Sequence, residues 1–521
     1  MTKSILYNNP FDGQKRKRCF IECTLLVVIT TVLRLLFVGK TDLGFDEGFS
    51  LFVSLKKQTD IVNLLCTGDN PPLWEIMLHF WVGIFGISEI AIRCLSLIFN
   101  ALTIIPIYLI GEKHIGRHAG AAASLFFAFS SFSIFLSHDS RVYSLIGFFA
   151  AWSAYLFINC IHNQKKSNFI WLTFVNILLM YGHYLSIWMI VMEFAVFIFN
   201  GNIRKKIRKG YWIHILALAA LFSPMIPTLL RRFLDSGVNG TWIPKASGIE
   251  DVYSFICCMS NAPVTAVIAI IILAVAFAFF IYMVINKKAN FSNTTIISLF
   301  WIVPMSVSFA LSFITGFFLD RYFYFLFPFF YLSIAAYAFQ IFPLRKPFQI
   351  GIMSVFAIAM AFSFSPDSSK KRYSGWHDEI QPIVSQLVET KQNERTIVII
   401  PEYFDKQFTY YLDDKHLAFK EKGQNGLYYA FYDYLCGLGY YYDCNFQDAD
   451  FEQNDKAVFA CRKSMPLNQI NNYLINSGFH LQEEKEECQF IIYTYSKSLN
   501  SAEQKNSTKN VSAQKTFNTT L

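Results

Sequence analysis

The chain has 521 residues, 54% of them hydrophobic and 16% charged, with 55 Phe and a formal net charge of +8. That composition lies far outside the soluble range and describes a polytopic membrane protein. The basic residues fall in short clusters between apolar runs rather than along one face, so the charge marks topology, and no nucleic-acid partner is expected.

The first basic cluster, Lys15-Arg16-Lys17-Arg18, precedes an apolar run over residues 19–38. The run is long for a signal peptide and no small-residue cleavage site follows, so it reads as a retained first helix with a cytoplasmic N-terminus. Further basic clusters at 113–117, 165–166, 204–209, 287–288 and 345–346 alternate with connections poorer in Lys and Arg. The positive-inside rule turns that alternation into about eleven crossings. The outer connections are then 39–88, 137–141, a turn near His183, 231–262 and a turn at Asp320. Within the first of these, residues 61–65 and 74–85 have helical spacing and are expected to lie along the interface. Residues 169–199 are too long for one span, and Gly182-His183 is the natural break.

After Ser365 charge and turn residues rise. Residues 396–400, 456–461 and 489–495 read as short strands, preceded by a helix over 379–389. The expected organisation is a transmembrane domain over 1–365 with its first outer loop at 39–88, a small extracytoplasmic α/β domain over 366–498, and a disordered tail over 499–521. The 11 Cys show no ligand spacing. Cys436, Cys444, Cys461 and Cys488 lie together in the polar domain, where one or two disulfides can form if it is extracytoplasmic.

The polar clusters fall at the outer ends of the expected spans. Asp46-Glu47 follows the first, Asp69-Asn70-Pro71-Pro72 lies later in the same loop, and His138-Asp139-Ser140-Arg141, His183-Tyr184 and Asp320-Arg321-Tyr322 mark later ones. Acids at a hydrocarbon boundary carry a desolvation penalty and default to a functional role. Carboxylates and arginines beside a lipid-facing cavity suit group transfer from a lipid phosphate. A carboxylate takes the proton of an acceptor hydroxyl, while a guanidinium holds the departing phosphate through charge-assisted hydrogen bonds. A sugar donor would react through an oxocarbenium-like state.

Phe45-Asp46-Glu47, Gly68-Asp69-Asn70-Pro71-Pro72-Leu73-Trp74, Ser88-Glu89-Ile90-Ala91-Ile92-Arg93, Ser137-His138-Asp139-Ser140-Arg141-Val142-Tyr143, Gly182-His183-Tyr184 and Asp320-Arg321-Tyr322 stand in a familiar order. The chain resembles the bacterial protein O-mannosyltransferase-like and aminoarabinose-transferase-like membrane glycosyltransferases over roughly residues 20–400, and more weakly to Trp376. The resemblance implies a mainly α, polytopic GT-C fold with a small C-terminal extracytoplasmic α/β domain. It further implies a polyprenyl-phosphate-linked sugar donor, inversion at the anomeric carbon, and a lipid, glycan or protein acceptor outside the plasma (inner) membrane. Asp46 matches the family's first-loop acid, the candidate base; Glu47 and Asp139 join it as candidate catalytic acids. Arg141, Arg321, Tyr322, Arg93, Asn70 and Tyr184 are the candidates for donor phosphate and lipid. Asn70 departs from the family pattern, which commonly has His or a basic residue there. Relatives can carry a divalent metal near this loop, and Asp69 and His183 are the candidate ligands. A transporter or flippase of lipid-linked sugars is the competing class, but no internal repeat is evident and the acids lie at span ends rather than mid-span.

Overall fold

The computed structural model describes residues 10–67, 70–239, 241, 243–285, 292–341, 346–363, 379–391, 395–427, 429–462, 468–487 and 490–497. Its helices in chain order are α1 (Pro10–Leu35), α2 (Phe45–Ser54), α3 (Gln58–Thr67), α4 (Leu73–Phe85), α5 (Glu89–Leu102), α6 (Ile104–His114), α7 (Arg117–Ala128), α8 (Ser131–Ser137) and α9 (Tyr143–Asn163). They continue as α10 (Lys166–Gly182), α11 (Ile187–Phe199), α12 (Gly201–Phe222), α13 (Ile226–Asn239), α14 (Ile249–Ser260), α15 (Pro263–Ile285), α16 (Asn293–Ser312), α17 (Phe327–Ala336) and α18 (Lys346–Phe362), with a 3₁₀ segment at Asp320–Leu326. Two compact units result. The first comprises residues 1–40 and 57–372, the second 41–56 and 373–521.

The first unit is an all-helical, multi-pass membrane body. Among the described residues five helices are long and apolar enough to cross a membrane, or up to seven if each bent pair is one span. The about eleven crossings read from the basic clusters are not reached by that criterion, because several apolar runs are divided among shorter or bent helices. Leu73–Phe85, Tyr184–Phe199 and Pro347–Phe362 are apolar but short, and His118–Ala128 meets Ser131–Ser137 at 62°. That bend has a local cause: Ser130 Oγ accepts the Ser133 N–H, capping a new helix start. Small residues allow close packing elsewhere. A Cβ on Gly111 would stand 2.2 Å from Gly120 Cα, so α6 and α7 meet backbone to backbone.

The second unit carries a five-stranded sheet, formed by β1 (Thr396–Ile400), β2 (Tyr440–Tyr442), β3 (Lys456–Arg462), β4 (His480–Glu487) and β5 (Phe490–Ser496). The strand order is β2-β1-β3-β5-β4, parallel for β1 with β2 and β3 and antiparallel for the rest. Ile397, Ile399, Phe459, Phe479 and Tyr493 anchor its core, where each large side chain contributes roughly 1.5–3 kcal/mol of burial. Three strands were foreseen, as was a helix over 379–389 that the structure places at Gln381–Lys391; β2 and β4 were not. β4, His-Leu-Gln-Glu-Glu-Lys-Glu-Glu, lacks apolar alternation because it is an exposed edge strand, where charge protects against further pairing. Cys436, Cys444 and Cys461 are free thiols, whereas Cys488 lies outside the described residues, as do Trp376 and 498–521.

Residues 41–56, read from sequence as part of the membrane domain's loop, are built into this second unit. Asp42 Oδ2 accepts the Ile380 and Gln381 N–H groups, each at 2.7 Å, capping the helix Gln381–Lys391 from more than 300 residues away. The Leu43 N–H donates to Tyr411 Oη at 2.6 Å, and Phe52 packs on Phe431 with ring centroids 5.2 Å apart.

Candidate functional site: an arginine and tyrosine cluster in the membrane unit

Two close approaches assemble the cluster in the first unit. A Cβ on Gly182 would lie 3.1 Å from Ile146 Cγ2, so the end of α10 can close onto α9. A Cβ on Gly147 would lie 3.0 Å from Tyr324 Cε1, so the Asp320–Leu326 segment settles against α9 from another side. Three rings meet as a result. Tyr143 and Tyr322 stack at 6.2 Å, His183 lies 5.3 Å from Tyr322, and His183 lies 6.3 Å from Tyr143.

The cations sit against these rings. The Arg321 guanidinium carbon is 5.7 Å from the Tyr143 centroid and 5.8 Å from that of Tyr322, within cation–π range. Arg141, buried, places Nη1 3.8 Å from Glu75 Oε1 of α4. The turn bearing Arg141 is fixed from neighbouring helices. Ser96 Oγ donates to the Asp139 carbonyl at 2.7 Å, and Trp74 Nε1 donates to the Ser140 carbonyl at 3.0 Å.

His183 keeps part of its surface open, yet burial, then Arg141, then Arg321, push its pKa down to about 4. It is therefore neutral near pH 7. Its Nδ1 accepts the Leu185 N–H at 3.3 Å, which leaves the ring proton on Nε2 and makes that nitrogen a donor. Two neighbouring guanidinium groups and a protonated Nε2 do not fit a divalent-metal ligand. Asp69, its expected co-ligand, lies outside the described residues, and among those described no three His, Cys, Asp or Glu side chains group as a metal set.

The remaining sequence candidates divide by location. Asp139 is buried in the same turn as Arg141. Arg93 is also buried, and its Nη1 donates to the Val38 carbonyl at 3.2 Å. Tyr184 packs against the Met180, Phe222 and Met225 cluster, and Asn70 stands just ahead of the prolines that open α4. Asp46 and Glu47 lie in the first turn of α2, within the second unit. Glu47 is buried and its Oε2 accepts the Gly44 N–H at 2.8 Å, closing the start of that helix. Asp46, beside it, is only partly buried.

Two residues escaped the sequence reading. Glu75 is a lone acid in an otherwise apolar helix, a signal that was available. Arg34 is the other, fully buried, with Nε donating to Asn100 Oδ1 at 2.6 Å and Nη2 to Ser133 Oγ at 3.0 Å. Its Nη1 donates to the Thr30 carbonyl at 3.1 Å, and its own carbonyl lies 2.8 Å from His138 Nε2. Arg34 thus ties α1 to α5, to the bend before α8 and to the turn that carries Arg141.

Fold and site together define a multi-pass membrane protein with the GT-C fold, the architecture of membrane glycosyltransferases. Residues 69–230, less than half the chain, match the model of the family described as dolichyl-phosphate-mannose-protein mannosyltransferase. Among solved structures, the chain is similar to ArnT from Cupriavidus metallidurans in the apo state, with a TM-score of 0.57 at 9% identity over 90% of this chain and 97% of that one. ArnT bound to undecaprenyl phosphate matches equally well. The archaeal oligosaccharyltransferase AglB from Archaeoglobus fulgidus, in complex with an inhibitory peptide and a dolichol-phosphate, matches with a TM-score of 0.54 at 10% identity, over 85% of this chain and 69% of that one. No curated protein matches the chain by sequence.

Proposed function

We propose that the chain is an inverting glycosyltransferase of the plasma (inner) membrane. It moves a sugar from a polyprenyl-phosphate-linked donor to an extracytoplasmic lipid, glycan or protein hydroxyl. The observation that carries the reading is Arg321 held against Tyr143 and Tyr322, with Arg141 and neutral His183 beside them. Two guanidinium groups and an imidazole N–H suit a phosphate dianion, and tyrosine faces suit an isoprenoid stem or sugar ring. The similarity to an ArnT structure with undecaprenyl phosphate supports a carrier of that class. In the reaction the acceptor hydroxyl oxygen bonds to the anomeric carbon as the bond from that carbon to the phosphate oxygen breaks. The hydroxyl proton goes to a carboxylate, and the leaving polyprenyl phosphate keeps the electron pair. Asp46 is assigned the base role on its match to the family's first-loop acid. Asp139 is assigned support of the Arg141 turn.

The test uses purified full-length protein in lipid nanodiscs with a synthetic polyprenyl-phosphate sugar, reading released carrier phosphate and glycosylated acceptor. Asp46→Asn is expected to lower turnover by about 10²-fold or more while donor binding persists. Undiminished turnover in that variant removes Asp46 as the base. Carrier that changes leaflet without chemical change would make the protein a transporter instead.

A further inference from the structure

A second polar cluster lies among α9, α10, α11 and α12, apart from the arginine and tyrosine cluster. Glu193 of α11 and His214 of α12 are both buried, with His214 Nε2 3.8 Å from Glu193 Oε2. Ser153 Oγ of α9 donates to Glu193 Oε1, and Asn176 Nδ2 of α10 donates to Glu193 Oε2 at 2.8 Å. Around these groups the helices are apolar: the basic residues of α12, Arg204, Lys205, Lys206, Arg208 and Lys209, are exposed in its first half, ahead of His214, and α16, which packs on α11, carries no ionisable side chain.

The hydrogen bonds locate the protons. Thr173 gives its hydroxyl proton to the Phe169 carbonyl at 2.8 Å, so its oxygen is left to accept from His214 Nδ1, also at 2.8 Å. His214 Nδ1 therefore carries a hydrogen. Its Nε2 faces the carboxylate at 3.8 Å and Asn176 Nδ2 at 3.5 Å; the shorter bond of that amide goes to Glu193 at 2.8 Å, so a bare nitrogen and a bare carboxylate there would set lone pair against lone pair with one amide between them. They would also leave a full negative charge among apolar helices, which is strongly disfavoured. One further proton, on Glu193 or on His214 Nε2, removes that charge. The other titratable neighbours, Cys160 of α9 and Tyr211 of α12, are neutral at pH 7 by their ordinary values and cannot compensate it.

We infer that Glu193 and His214 form an intramembrane proton-binding site, holding one proton between them and joining four helices as an uncharged junction. The assignment is independent of the proposed transfer reaction. Infrared spectroscopy of the full-length protein at pH 7, with ¹⁵N NMR of labelled histidine, tests it directly. The expected result is either a protonated-carboxyl band that Glu193→Gln abolishes or a doubly protonated imidazole that His214→Gln abolishes. An ionised Glu193 beside a singly protonated His214 would overturn it. As a second measurement, Glu193→Gln, neutral and of the same shape, is expected to melt within about 2 °C of wild type, and Glu193→Leu lower by about 5 °C or more. Equal loss in both variants would also count against the site.

Discussion

Arg34 and Arg321 are both buried in the membrane unit and both lie against aromatic rings, Phe127 for Arg34 and Tyr143 and Tyr322 for Arg321. The Arg34 donors end on a fixed set of neutral acceptors: Asn100, Ser133 and the carbonyls of Thr30 and Ala128. Arg321 lies against two tyrosine faces, which attract a cation through the ring quadrupole. The first arrangement is a joint between helices, and the second suits a cation kept in place for an anionic ligand. A buried arginine in a membrane protein is therefore not in itself a binding group; what engages the guanidinium decides.

The sharpest way to break this contrast is Arg34→Leu. It strands Asn100 and Ser133 in the core and is expected to cost about 3–5 kcal/mol of stability, read as a fall in melting temperature or loss of monodisperse protein. A variant that folded normally would end the distinction. Arg321→Ala should do the reverse, leaving the melting temperature within a few degrees while turnover falls by about 10²- to 10³-fold, with partial recovery in Arg321→Lys. Tyr143→Leu tests the aromatic wall alone. It is expected to raise KM for the donor by about three- to five-fold with little change in kcat.

The smallest effect concerns pH. His183 has its folded pKa depressed from 6.5 to about 4, so the unfolded chain binds the proton more readily. Stability contributed by neutral His183 is present above pH 6.5 and is lost as pH falls from 6.5 toward 4. His183→Gln should flatten that part of the melting-temperature profile, and an unchanged slope would show that the ring is not held against Arg141 and Arg321.

The sequence by itself determined the membrane class, the helical body, the change of character near residue 366 and most of the sheet. Each of these follows from apolar run length, basic flanks or local alternation, which need no knowledge of distant neighbours. The break at Gly182-His183 was legible for the same reason, and so was the placement of Arg141 and Asp139 in one short turn. Only the tertiary structure decided that Arg321 lies against Tyr143 and that Glu75 meets Arg141. It alone revealed that Arg34 binds together helices remote in the chain, and that residues 41–56 pack with helices more than 300 residues later. Such partnerships rest on close approach at Gly147 and Gly182 and on hydrogen bonds satisfied away from water. A linear pattern carries neither the distance nor the partner, because both depend on how separate helices pack.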